Sequence, residues 1–95
     1  MNKKNNNLHS SRDLLKLKNV GKAVLEDLRL LGIHSVEQLK DENPDRLFKK
    51  LEEITHKKQN PCVWDVFAAI IHQVRTGQAL PWWYFTQLRK SNSNL

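Results

Sequence analysis

The chain has little that could lock, divide or anchor it. It holds one cysteine, Cys62, in 95 residues. A single thiol closes no intramolecular disulfide and builds no cysteine zinc cage. The four histidines, His9, His34, His56 and His72, show neither H-x3-H nor H-E-x-x-H spacing, so a metal site is not expected. No apolar run comes near the ~20 residues that span a bilayer, and the N-terminus lacks a secretory core. There is no repeat of fixed period and no internal linker. No stretch alternates with period two for long, which argues against a sheet. These absences predict one reduced, cytoplasmic domain with no membrane segment.

What is present is charge and helix. Sixteen Lys and Arg against ten Asp and Glu give a net charge of +6, which favours acidic partners. Residues 1–11 and 91–95 are polar, lack an apolar period and read as disordered tails. The domain is therefore expected over 12–90. A fold of that size buries only roughly 60–65% of the unfolded chain's surface. It has no room for both a core and a deep catalytic cleft, so binding through a surface feature is expected and an enzyme is not.

Helix signals recur every ten to seventeen residues. Arg12 to Lys18 brings Leu14, Leu15 and Leu17 together after Ser10 or Ser11 as cap. Lys22 to Leu31 carries the stripe Val24, Leu25, Leu28 and Leu31, with Gly32 as stop. Ser35 and Gln38 fit a capping box ahead of Val36 and Leu39. Asn43-Pro44 opens a helix with Leu47, Phe48, Leu51 and Ile54 on its buried side. Asn60-Pro61 opens another, carrying Val63, Val66, Phe67, Ile70 and Val74, with Trp64 and Ile71 at one margin. Pro81 opens an aromatic-rich last helix, "PWWYFTQLRK". The pattern predicts an all-α bundle of five or six helices.

The segment "KNVGKAVLEDLRLLGI", residues 18–33, carries the functional signal. A tight Asn19-Val20-Gly21 turn runs straight into a helix. Successive backbone N–H groups, added to the positive end of that helix, would make a cradle for an anion such as phosphate. Residues 12–22 hold four basic residues (Arg12, Lys16, Lys18 and Lys22) and one acidic, whereas 23–39 hold one basic and three acidic. The same spacing also fits an ordinary turn between bundle helices. Both readings stand at this point.

"LLKLKNVGKAVLEDLRLLGIHSVEQL" resembles a helix-hairpin-helix motif, here spanning 12–32. Extended through "NPDRLFKKL" and "NPCVWDVFAAIIHQV", the pattern resembles the small bacterial pathogenicity-locus family, some of whose members carry a mitomycin-resistance label. It is also similar to the C-terminal domain of the Sxy/TfoX competence regulators. The resemblance covers roughly 12–85. It implies a compact SAM-like bundle that binds DNA weakly and without reading sequence, through hairpin amides on phosphates. Carried over, the site is Lys16, Lys18, Asn19, Val20, Gly21 and Lys22. A monovalent cation on hairpin carbonyls is the one cofactor the resemblance allows. Asn19 stands where the motif usually has its first glycine, and Leu25 where it has a small residue; a bulkier Leu25 is expected to open the hairpin angle.

Two other groups invite a function. Cys62, Asp65 and His72 share the polar side of the fifth helix. Asp65 and His72 stand roughly 10 Å apart along it, so a catalytic pairing is not expected. Trp82, Trp83, Tyr84 and Phe85 cannot all face one core. Most are expected to form a lid, with at least one at the surface. That leaves an alternative function, a protein–protein adaptor or homodimer using the aromatic helix or the hairpin; base stacking on single strands ranks after it, because the only charges flanking the run are Arg89 and Lys90.

Overall fold

Side-chain caps set the helix boundaries. A computed structural model describes residues 12–92. Its elements are α1 (12–16), α2 (Lys22–Leu30), α3 (Val36–Leu39), α4 (Pro44–Thr55), α5 (Pro61–Thr76) and α6 (Trp82–Asn92). The all-α expectation holds, and there is no strand among the described residues. The segment 1–11, with Ser10 and Ser11, lies outside the described residues, as do 93–95. α6 runs two residues into the stretch expected to be a tail.

Asn43 accepts hydrogen bonds from the N–H groups of Asp45 and Arg46, and Pro44 fills the first helical position. Asn60 does the same for Cys62 ahead of Pro61. Ser35 Oγ accepts from the Gln38 N–H at 3.3 Å, while Gln38 Oε1 accepts from the His34 N–H at 2.6 Å. The return bond therefore falls one residue earlier than in the expected capping box. α2 ends in a Schellman motif. Gly32, at φ 80°, donates to Arg29 O, and Ile33 donates to Leu28 O at 2.8 Å. Leu28 and Ile33 are both buried, which supplies the apolar contact that accompanies this motif.

α5 is covered on two sides. On one side Phe67, Ile70 and Ile71 join Leu28, Leu39 and Leu51 in the main core. On the other, Ala68 and Ala69 meet Phe85, flanked by Trp64 and Leu80. Ile71, expected at the margin, is buried, whereas Leu15 and Ile54, expected inside, are exposed. The second contact accounts for Ile71: a helix enclosed on both sides buries more of its circumference than one stripe.

Asp65 is the largest departure. Expected on a polar face, it is completely buried. Thr86 Oγ1 donates to Oδ2 at 2.6 Å, and Arg89 donates from Nε to Oδ1 at 2.7 Å and from Nη2 to Oδ2 at 3.1 Å. Ala68 and Ala69 follow Asp65 by one turn on the same face, and their small side chains let α6 come close. Hydrogen bonding to Asp65 holds the Arg89 guanidinium above its ordinary pKa.

Removing one member of a buried pair strands the other, at about 3–5 kcal/mol where the remaining charge is fully enclosed. Arg89 is 25% exposed against 0% for Asp65, so Arg89 can turn to water and Asp65 cannot. Arg89→Met is therefore expected to destabilise more than Asp65→Ala, measured by urea denaturation.

Asp27 gives a pH-dependent prediction. Burial, and then the neighbouring Glu26, push its carboxyl above the usual range, with Lys57 opposing. A folded pKa above the unfolded one means stability that is present in acid and lost as pH rises through the folded value. Asp27→Asn is expected to raise Tm at neutral pH, with the gain disappearing in acid where Asp27 is already protonated.

Candidate functional site

The turn between α1 and α2 is made by Asn19, not by the glycine after it. Asn19 takes φ 75°, the left-handed region, which asparagine tolerates better than most residues. Its carboxamide is engaged elsewhere. Nδ2 donates to Leu80 O at 2.9 Å, and Oδ1 accepts from the Trp82 N–H at 3.1 Å. Pro81 cannot cap α6 with a side-chain acceptor, so Asn19 caps it from across the fold. The Lys18 N–H is also occupied, donating to Gln73 Oε1 at 3.0 Å.

The expected cradle is thus narrower than the sequence suggests. Val20 is buried, and its N–H donates to Leu17 O at 3.3 Å. Gly21 is the exposed N-cap of α2 and gives it no side-chain hydrogen bond. By contrast, Ser35, Asn43 and Asn60 cap α3, α4 and α5. Lys22 and Ala23, which follow Gly21, are exposed. Gly21 sits at φ −109°, ψ −164°, an extended conformation open to any residue, and a Cβ there would meet nothing within 4 Å. Packing within the chain does not require glycine at this position.

Charge around the turn is uneven. Lys16 pairs with Asp13 at 3.3 Å, with both side chains exposed. Lys18 and Lys22 are exposed and form no ion pair among the described residues. Further along α2, Arg29 is paired with Glu26, and that hydrogen bond lowers the Glu26 carboxyl's pKa. Leu25 is half-buried and lines a pocket of about 360 Å³ with Leu14, Arg29, Ile33 and His34.

The other tempting residues are engaged separately. Cys62 is half-buried in the first turn of α5, and Asp65 is held by Thr86 and Arg89. His72 Nε2 lies 2.9 Å from Gln78 Oε1, and its ring sits 5.5 Å from Phe85. Among the described residues, no group of His, Cys, Asp and Glu could hold a metal ion, and no helix is long and apolar enough to cross a membrane. Of the aromatic run, Phe85 is buried, while Trp82, Trp83 and Tyr84 are 36%, 57% and 46% exposed. The expected lid is therefore mostly Phe85. Sequence reasoning missed Gln73 and the clip from Asn19 to α6; the available signal was an asparagine, with its hydrogen-bonding amide, where a bare turn would take glycine.

The geometry defines a class: a small all-helical domain whose surface offers an uncapped helix start between two unpaired lysines. The family model Cdd1, described as "Pathogenicity locus", matches residues 7–91, and the chain belongs to that family. It is similar to the mitomycin resistance protein McrB of Streptomyces lavendulae, at 32% identity over 78 residues, covering 82% of this chain and 74% of that one. No solved structure matches it.

Asn19 is open to direct test. Asn19→Gly keeps the left-handed turn but removes two hydrogen bonds worth about 1 kcal/mol each. Asn19→Ala removes them and adds roughly 1–2 kcal/mol of left-handed strain. Chemical denaturation should rank wild type above Asn19→Gly and Asn19→Gly above Asn19→Ala, with early amide exchange in the first turn of α6.

Proposed function

We propose that this protein is a non-enzymatic helix-hairpin-helix module that binds nucleic-acid backbone weakly and without reading sequence. The observation that carries the reading is Gly21. Its conformation suits any residue and its surroundings leave space for a side chain, so the chain's own packing gives no reason for glycine. A ligand approaching the backbone does. A phosphate set against the N–H groups of Gly21 and Lys22 would meet the positive end of α2, with Lys18 and Lys22 beside it. The mitomycin-resistance name of its relative is compatible with this reading and does not specify it.

One hairpin reaches few phosphates. Neutralising ~2–3 of them gives a log–log salt slope of roughly −2 to −3 on duplex DNA. Low-salt NMR titration with a short duplex should move the amides of Gly21, Lys22 and Ala23 and leave that of Val20, already bonded, less affected. Lys18→Glu with Lys22→Glu should abolish binding without changing the helical circular dichroism. Unmoved hairpin amides at low salt would overturn the proposal.

A second reading, a protein–protein adaptor or homodimer, is favoured by Trp83, Tyr84 and Leu88, which leave α6 with exposed apolar surface. It predicts concentration-dependent sedimentation that Trp83→Ala removes.

A further inference from the structure

The hairpin and the aromatic helix lie about sixty residues apart in sequence but are tied together in the fold. Asn19 bonds both Leu80 and Trp82, which fixes the first turn of α6 against the turn that precedes Gly21. Trp83 follows directly and is the most exposed of the large apolar side chains. Phe85 is buried, and Tyr84 leans edge-on against it at 5.2 Å. Trp83 has no ring partner among the described residues.

We infer that the ligand of this surface is a single-stranded polynucleotide, with a phosphate at the Gly21–Lys22 hairpin and an unpaired base stacked on Trp83. The inference rests on the hairpin reading and names its ligand. Charge complementarity selects a polyanion, because Lys18 and Lys22 are exposed and unpaired around the turn that Asn19 ties to the start of α6. The ring then selects the single strand. In a duplex the bases already stack on one another, and an aromatic wedge must first unstack a step at a few kcal/mol. A site that reaches only a few phosphates has little binding energy to offset that. A single strand presents unstacked base faces of any sequence.

The test measures fluorescence anisotropy of the full chain at low salt with four labelled probes: oligo-dT, oligo-rU, an abasic strand of equal length and a duplex. The expected result is tighter binding of dT or rU than of the abasic strand and the duplex. The dT and rU strands differ in both the sugar and the 5-methyl group, and preference for either supports the inference. Trp83→Ala should weaken single-strand binding by roughly 5- to 100-fold, the range for one lost base–aromatic stack, and Trp83→Phe should retain most of it. Both variants change an exposed side chain, and circular dichroism checks that they fold. Equal binding of abasic and dT strands, or duplex binding that matches single-strand binding and ignores Trp83→Ala, would overturn the inference and leave the phosphate-binding hairpin standing. Binding of no probe, with or without self-association through Trp83, would overturn both.

Discussion

The side chain of Asn19 does two jobs that no other residue type combines. Its backbone accepts a left-handed φ, which ends α1 and aims the chain into α2. Its amide then holds the far end of the molecule, donating to Leu80 O and accepting from the Trp82 N–H. Glycine would make the turn and leave α6 uncapped. Serine could cap but would strain at that φ. The Lys18 N–H bond to Gln73 adds a second tie from the same turn to α5. The hairpin is therefore held by the rest of the bundle as well as by the apolar contacts of its own helices.

The second constraint is electrostatic and lies at the other end of the same interface. α6 has a weak apolar face: Phe85 is buried, while Trp83, Tyr84 and Leu88 are largely exposed. Hydrophobic burial alone therefore says little about its register on α5. Asp65 supplies that information. Its two oxygens accept from Thr86 and from both arms of the Arg89 fork, so α6 fits at one rotation and one height. A buried ion pair is weak evidence of net stability, since desolvation offsets much of the attraction. Here its clearer consequence is geometric. Asn19 fixes where α6 starts, and Asp65 fixes which way it faces.

Most of the fold was legible because its signals are local. Asn43-Pro44, Asn60-Pro61, Ser35 and Gly32 each act within a turn of themselves, and the helices follow. Much of the main core was legible from spacing, but Leu15 and Ile54 are exposed, Val66 lies outside it, and Val20, Ile33 and Ile71 belong to it without having been expected there. What escaped was long-range and polar. Asp65 looked like a surface residue because its partner stands 24 residues away, and only the adjacent alanines hinted that another helix would sit there. The candidate site split the same way. Gly21 and the lysines could be read from sequence, as could the Asp13–Lys16 pair three residues apart, but nothing local says that the Lys18 N–H is bonded to Gln73 or that the Asn19 amide is spent on α6.

Rigidity and openness are thus divided within three residues. Asn19 and Val20 belong to the fold: both are tied or buried, and altering them disturbs α6 or the core. Gly21 and Lys22 belong to solvent: both are exposed, and a Cβ at Gly21 would meet nothing within 4 Å. A binding surface needs this division, because amides held on a rigid turn lose little freedom when a ligand arrives. A flexible loop carrying the same lysines would have to be ordered first, at about 1–2 kcal/mol per backbone residue fixed. For the proposed site, which would make few phosphate contacts, that cost would remove most of the affinity. The tie from Asn19 to α6 is accordingly more than a structural convenience: it holds the turn in place, as the proposed phosphate site requires.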